Sequence, residues 1–126
     1  MWKEWIAIAL GGMVGTLLRH GLNCTFKSLH PQAVPLSTWI VNVVGCLAIG
    51  FTFKWAADRD LSGHWGELAV RVGLLGGLTT FSSFGFEVIR FWQSGKPGLG
   101  IAVIAAHVII GLAAVALGIT LAGKTA

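Results

Sequence analysis

A stretch from Gly76 to Glu87, GGLTTFSSFGFE, concentrates groups that can do chemistry inside an otherwise apolar segment. It holds paired glycines, four hydroxyl side chains, three phenylalanines and a carboxylate. Glycine has low helix propensity and threonine hydroxyls compete for backbone hydrogen bonds, so Gly76-Gly77 followed by Thr79-Thr80 predicts a helix that is broken in mid-span. Such a break frees backbone carbonyls, which are suitable ligands for a hard cation such as sodium.

Two phenylalanines follow the predicted break at helical spacing. Phe81 and Phe84 are three residues apart and share one helix face if the helix restarts near Thr80. A phenyl ring has a negative face and a positive edge, so ring edges turned towards a cavity can receive an anion. The alternative is ordinary lipid-facing or core packing, which the spacing alone does not distinguish.

Further polar side chains lie at predicted membrane depth. Asn42, with Thr38 one turn before it, offers two amide donors whose burial without partners is costly. Glu87 and His107 are ionisable, and ionisable groups inside spans are candidates for function. The alternatives are a partnership of Glu87 with Arg90 near the interface and, for His107, a buried hydrogen bond between helices.

Membrane helices must position these residues. The 126 residues are 55% hydrophobic and 11% charged, with a mean hydropathy of +0.78, which is too apolar for a soluble domain of this length. We predict an all-α integral membrane fold, with residues 1–126 forming one domain of four transmembrane helices of ~20 residues each. The predicted spans are about 5–22, 36–55, 65–92 and 99–122, joined by connectors that contain KSLHPQAVP, AADRDLSGH and QSGKPG.

Tryptophans and one arginine mark the ends of the spans. Indole rings favour the membrane interface, and those near predicted ends are Trp2, Trp5, Trp39, Trp55, Trp65 and Trp92. Arg19 is expected to anchor the end of the first helix, as a structural or vestibule residue, rather than to bind a permeating ion. The apolar run from Ile6 to Gly15 is interpreted as this helix and not as a signal peptide, because no small-residue cleavage site follows it.

Positive charges are almost evenly divided between the two sides of the predicted bundle. One side carries Lys3, Lys54, Arg59, Arg71 and Lys124, and the other carries Arg19, Lys27, Arg90 and Lys96. A positive-inside bias needs asymmetry to fix one orientation. If Arg19 and Arg71 lie partly within spans and are not counted, the division is four against three. The near balance therefore permits insertion in both orientations, which would allow an antiparallel homodimer. Two GxxxG patterns, at residues 11–15 and 73–77, further predict close helix packing.

Several function classes find no support in the sequence. No nucleophile arrangement, metal-ligand cluster or phosphate loop indicates an enzyme, and the basic residues are too scattered to indicate binding of nucleic acid. Two function classes stay open from these residues. One is a small dual-topology multidrug exporter, for which Glu87 is the only candidate for a deep carboxylate, and the other is a non-transporting membrane module whose polar residues join helices.

Three segments carry a resemblance to a known family. GGMVGTLLRH at 11–20, TWIVNVVGCLAIG at 38–50 and GLLGGLTTFSSFGFE at 73–87 are similar to the signatures of the Fluc (CrcB-type) fluoride channels, and the similarity covers almost the whole chain. The resemblance implies passive fluoride export through two antiparallel pores of a dual-topology homodimer in a bacterial inner membrane. It also implies a structural sodium ion at the dimer centre, held by the Gly76 and Thr79 carbonyls of each subunit.

The resemblance further implies a fluoride pathway, with Asn42 as a hydrogen-bond donor to the ion. The implied pathway residues are Asn42, Phe81, Phe84, Thr38, Ser82, Ser83, Glu87 and His107. Members of the family often place hydroxyl side chains one and two turns after the position of His107, where this sequence has Gly111 and Val115. Ser82, Ser83 and Thr79 are expected to supply hydroxyls instead.

Overall fold

The computed structural model of the chain describes residues 1–30 and 34–124. The helices of this part are α1 (Trp2–Leu29), α2 (Val34–Ala57), α3, α4 (Phe81–Gln93) and α5 (Pro97–Gly123). The segment that we call α3 consists of Trp65–Leu68, a π-helical stretch Ala69–Leu75, and Gly76–Leu78. Pro31, Gln32 and Ala33 of the first predicted connector, and residues 125–126 of the predicted domain, lie outside the described residues.

Four helical segments of the described chain are long and apolar enough to cross a membrane, namely Trp2–Leu29, Pro35–Ala57, Trp65–Gln93 and Pro97–Gly123. They confirm the prediction of an all-α membrane fold with four spans. The largest difference in boundaries is at the first span, where α1 continues beyond residue 22 to Leu29. The predicted end at residue 22 is where the sequence becomes less apolar. The helix itself continues, because its backbone hydrogen bonds extend to the one from the His30 N–H to the Phe26 carbonyl.

The third span is broken after Leu78, as the paired glycines and threonines predict. Thr79 (φ −82°, ψ 156°) and Thr80 (φ −152°, ψ 123°) both have extended backbone. Thr80 is the N-cap of α4, since its Oγ1 accepts a hydrogen bond from the Ser83 N–H at 3.3 Å. A capping hydroxyl satisfies an amide that has no partner within the helix. Thr79 therefore follows the last residue of α3, and Thr80 caps the first turn of α4.

Glycines allow α1 to approach α3 at backbone distance. A Cβ added at Gly15 would overlap the carbonyl oxygen of Leu74, and one added at Gly77 would press on the Gly12 carbonyl. Both glycines belong to the two GxxxG patterns, so the structure confirms the close packing that these patterns predict.

Glycines also allow α2 and α5 to approach each other at backbone distance. A Cβ at Gly50 would overlap the backbone of Val115, and one at Gly118 would overlap the Leu47 carbonyl. The added Cβ of Gly111 would lie 3.5 Å from the Cys46 sulfur. Gly111 and the backbone of Val115 therefore serve helix packing against α2.

Candidate functional site

A groove of about 550 Å³ lies beside the break in the third span, where α2, α3, α4 and α5 meet. The described residues that line it are Asn42, Gly45, Cys46, Ile49, Arg71, Leu75, Gly76, Thr79, Thr80, Phe81, Phe84, His107 and Val108. The groove thus brings together six of the residues singled out from the sequence. Its walls are mostly apolar, so the few polar groups in it determine what it can bind.

Asn42 spans the break with a pair of hydrogen bonds. Its Oδ1 accepts from the Thr80 N–H at 2.8 Å, and its Nδ2 donates to the Thr80 carbonyl at 3.0 Å. The side-chain amide therefore replaces the helical acceptor that the Thr80 N–H loses at the break, and it adds a donor to the Thr80 carbonyl. An amide nitrogen carries two N–H groups, so one donor of Asn42 is still available beside the groove.

Phe81, Phe84 and His107 form a chain of ring contacts along the groove. The ring centroids of Phe81 and Phe84 are 5.4 Å apart, and those of Phe84 and His107 are 4.4 Å apart. Phe81 is 83% exposed, so very little of this chain covers its ring. The two phenylalanines share a face, as their spacing predicts.

His107 bonds within its own helix and not between helices. Its Nδ1 lies 2.9 Å from the Val103 carbonyl, and because a carbonyl only accepts, Nδ1 carries the proton. Its Nε2 is buried, with no hydrogen-bond partner among the described residues. The groove therefore contains one buried nitrogen whose hydrogen-bonding capacity is unused.

Thr38 and Glu87 form a pair outside the lining of the groove. The Thr38 hydroxyl donates to Glu87 Oε1 at 2.6 Å, and Thr38 is 2% exposed. The other oxygen of Glu87 is buried without a partner in the part of the chain that the structure describes. Of the two sequence-based readings, the partnership with Arg90 is therefore wrong, since the guanidinium of Arg90 lies 5.9 Å from the Phe86 ring instead.

The hydroxyls of Ser82 and Ser83 also lie beyond the groove lining. They surround the Thr80 hydroxyl, at 3.2 Å for Ser82 and 3.3 Å for Ser83. Both serines are in the first turn of α4, so this cluster of hydroxyls lies at the start of that helix. Thr79 does line the groove, but its hydroxyl donates to the Leu75 carbonyl at 2.9 Å.

Arg19 does not mark the end of the first helix, and that prediction is wrong. The helix continues to Leu29, and Arg19 Nε donates to the Gly77 carbonyl at 3.1 Å. Gly77 lies in the last turn of α3, where the carbonyls lose their helical donors. Arg19 therefore has a structural role, which is to cap the broken helix from α1.

Two groove residues with a guanidinium or thiol group were not predicted as site residues. They are Arg71, whose charge was counted only for the orientation of the helices, and Cys46. A signal for Arg71 was present, because Glu67 four residues earlier is a helical ion-pair partner and allows a guanidinium to lie within a span. Nothing in the types of neighbouring residues distinguishes Cys46.

Known proteins show similarity along nearly all of this chain. A family model described as CrcB-like protein, Camphor Resistance (CrcB), matches residues 6–119. The chain belongs to the CrcB family. A curated relative of this CrcB-family protein from Acinetobacter baumannii, named fluoride-specific ion channel FluC, is 40% identical over 119 residues, which cover 94% of this chain and 93% of the relative.

Other relatives of this CrcB-family protein carry the same name in distant bacteria. One from Renibacterium salmoninarum is 38% identical over 123 residues, covering 93% of this chain and 97% of its own. One from Thermus thermophilus is 36% identical over 121 residues, covering 96% of each chain. The four spans and the bacterial origin of these relatives show that the chain is a multi-pass integral membrane protein of a bacterial plasma membrane.

Proposed function

We propose that this CrcB-family protein is a fluoride-selective ion channel that lets fluoride leave the cell passively and so lowers its toxicity in the cytoplasm. The observation that carries the proposal is the whole-chain similarity to proteins named fluoride-specific ion channels. On this proposal the protein is a channel and not an enzyme. The groove beside the broken span supports the same conclusion, because it combines a free amide donor with two phenyl rings.

Fluoride is small and strongly hydrated, so a selective path must replace its water with donors at close range. The N–H of Asn42 that does not bond to Thr80 is one such donor. The positive ring edges of Phe81 and Phe84 supply further contacts, and a path just wide enough for fluoride would exclude larger halides by size. The net charge of +4 cannot be the source of selectivity, because salt screens exposed charges beyond about 10 Å at 0.1 M.

Thr38 and Glu87 extend the proposed route beyond the groove. Thr38 is one turn before Asn42 on α2, and Glu87 is three residues after Phe84 on α4, so their pair continues the same two helix faces. His107 lies against Phe84 within the groove. The hydroxyls of Ser82 and Ser83 provide polar groups at the start of α4.

A second copy of the chain in the opposite orientation is part of the proposal. Broken backbone at membrane depth needs protein or a polar cavity around it. Gly76 and Phe81, on either side of the break, are both exposed on the single chain. An antiparallel partner that covers this face gives two pores that run in opposite directions, and the near balance of basic residues permits both orientations.

A structural sodium ion at the centre of the dimer fits the backbone of the break. In a continuous helix the Gly76 and Thr79 carbonyls would accept from the N–H groups of Thr80 and Ser83. Those two N–H groups instead donate to Asn42 Oδ1 at 2.8 Å and to the Thr80 hydroxyl at 3.3 Å. The two carbonyls therefore lose their helical donors and are the proposed ligands, and oxygen ligands suit a hard cation.

Neighbouring carbonyls at the break are already engaged by side chains. The Gly77 carbonyl accepts from Arg19 and the Thr80 carbonyl accepts from Asn42. Bound sodium would add positive charge where two broken helices meet and would hold the subunits together. Replacing sodium throughout a preparation with a large organic cation should then lower dimer stability and flux, and indifference of both to the exchange would contradict the sodium site.

The two alternative functions meet specific difficulties in the structure. A proton-coupled exporter of cations needs a deep carboxylate that is free to bind its substrate, whereas Glu87 accepts a hydrogen bond from Thr38. Glu67 at the other end of the third span is paired with Arg71. A non-transporting module would leave the groove without function and would show no flux of any ion.

Fluoride efflux from liposomes tests the proposal directly. Purified protein is reconstituted, the release of fluoride is followed with a fluoride-selective electrode, and matched vesicles loaded with chloride and protein-free vesicles serve as controls. Rapid fluoride release with little chloride release is the expected result. No fluoride release from a folded dimer would overturn the channel assignment and leave Asn42, Phe81 and Phe84 as packing residues.

A further inference from the structure

Arg71 is the one Asp, Glu, Lys or Arg side chain among the described residues that line the groove. It belongs to the π-helical stretch of α3 and lies within two helical turns of Trp65, where the third span begins. A guanidinium inside a span is costly unless partners or water surround it, and such residues mark ion pathways more often than chance. The π-helical geometry is itself rare and is often found at functional positions.

The groove has a polar group at each end. On α3, Arg71, Leu75 and Thr79 follow at intervals of four residues, and all three contact the groove. The opposite wall on α2 contributes Asn42, Cys46 and Ile49. An ion that enters beside Arg71 therefore passes apolar side chains before it reaches the amide of Asn42 and the break.

Glu67 holds the Arg71 side chain in place. Arg71 Nε donates to Glu67 Oε1, and Arg71 Nη2 lies 3.5 Å from Glu67 Oε2. The Glu67 side chain is only 6% exposed, and its Oε2 also accepts from the Gly63 N–H at 3.2 Å. The carboxylate is thus fixed from two sides, and it orients the guanidinium.

The pair leaves hydrogen-bond donors free towards the groove. A guanidinium has five N–H groups, and Glu67 uses one on Nε and one on Nη2. The two N–H groups of Nη1 and the second of Nη2 have no partner within the described part of the chain. The Arg71 side chain is 32% exposed, so these donors can be reached from the groove.

We propose that Arg71 captures fluoride at the mouth of the groove and that Glu67 is its positioning residue. This inference rests on the proposed channel function and adds a residue to the ion path. Because the charges of Arg71 and Glu67 largely cancel at a distance, the pair offers N–H donors at short range rather than long-range attraction. Fluoride exchanges part of its hydration for these donors before it reaches Phe81 and Asn42. In an antiparallel dimer, one such mouth opens on each side of the membrane.

The test measures initial rates of fluoride efflux over a range of fluoride concentrations for the wild type and a set of variants. Arg71→Gln removes the positive charge and three of the five N–H donors. Arg90→Gln is the matched control, because Arg90 is in the same span but does not contact the groove. We expect Arg71→Gln to raise the fluoride concentration for half-maximal flux about tenfold, the equivalent of one lost charge-assisted hydrogen bond, and Arg90→Gln to change it less than about twofold.

Two further variants separate a role in capture from a role in folding. Arg71→Lys keeps the charge and the i,i+4 pair but lacks the planar fork, and we expect an intermediate effect. Glu67→Gln should weaken capture about threefold, because the amide oxygen still accepts one hydrogen bond. The double variant should behave like Arg71→Gln alone, since Glu67 acts only through Arg71. A residue that merely supports the fold would change dimer stability and not the half-maximal concentration.

The results distinguish a failure of the channel function from a failure of the role proposed for Arg71. A wild type without fluoride flux would overturn the channel function, and this inference with it. A conducting wild type whose half-maximal concentration is unchanged in both Arg71→Gln and Arg71→Lys would overturn the inference alone. If Arg71→Gln does not form a dimer, Arg71→Lys decides the question, because it preserves the ion pair with Glu67.

Discussion

Asn42 and Thr80, 38 positions apart in the sequence, are joined by two hydrogen bonds between one side chain and one backbone unit. The Asn42 amide accepts from the Thr80 N–H and donates to the Thr80 carbonyl, so both polar groups of the Thr80 backbone have a partner. Buried backbone groups without partners are costly. Asn42 therefore holds the break open in a defined shape while it keeps one N–H for an ion.

Asn42→Asp tests this double role. Oδ1 can still accept from Thr80, but the second carboxylate oxygen has no proton for the Thr80 carbonyl and brings negative charge to the groove. We expect a loss of fluoride flux of about a hundredfold, since a lost donor and a repulsive charge together cost roughly 3 kcal/mol. Flux is measured in liposomes at equal amounts of dimer.

Asn23→Asp is the matched control for this change. Asn23 Oδ1 only accepts a hydrogen bond from the Ser37 hydroxyl, at 2.6 Å, and an aspartate oxygen can accept it equally well. Flux should remain within about twofold of the wild type, because no donor is lost in the groove. Equal flux in the two variants would contradict the role assigned to Asn42.

The break and its immediate chemistry could be predicted because they depend on local signals. Gly76-Gly77 and Thr79-Thr80 weaken a helix wherever they occur, and the structure breaks the span at these threonines. The spacing of Phe81 and Phe84 likewise predicts a shared face. Such features need only the residues within one or two turns.

Contacts that depend on how helices cross could not be predicted. The sequence offers Arg90 to Glu87 at i+3, yet the carboxylate lies beside Thr38, 49 positions away. Arg19 resembled a helix terminus because its neighbours become polar, whereas its guanidinium reaches the Gly77 carbonyl. The π-helical stretch that contains Arg71 has no signal in the composition of residues 69–75.

Phe81→Ala should impair transport more than folding. The ring is 83% exposed on the single chain, so its removal costs little packing within the subunit. We expect the flux to fall about tenfold, the equivalent of one lost ion contact, and the unfolding free energy to fall by less than about 1 kcal/mol. Phe86→Ala is the control, because Phe86 is 66% exposed on the same helix and outside the groove. Equal loss of dimer and transport in Phe81→Ala would indicate packing alone.

Gly15→Ala should destabilise the bundle. The added Cβ would overlap the Leu74 carbonyl and lie 2.8 Å from the Leu78 nitrogen, and these backbone atoms cannot move without separating α1 from α3. Overpacking of this kind costs about 1–3 kcal/mol. Gly21→Ala in the same helix meets no atom within 4 Å and should be neutral or slightly stabilising. Thermal unfolding in detergent compares the two, and equal midpoints would argue against tight packing of α1 on α3.

Thr38→Val tests the pair that continues the path beyond the groove. Valine has nearly the same shape, but it removes the hydroxyl that donates to Glu87 Oε1 at 2.6 Å, at a position that is 2% exposed. A buried carboxylate oxygen without its donor costs about 1–3 kcal/mol, so the unfolding midpoint should fall and fluoride flux should fall with it. Thr52→Val is the control, because Thr52 bonds only to carbonyls of its own helix, at 2.8 Å for Ala48, and its loss should cost little. If both valine variants unfold at the same temperature and conduct equally, the Thr38–Glu87 bond contributes nothing to either property, and the ion path ends at the groove.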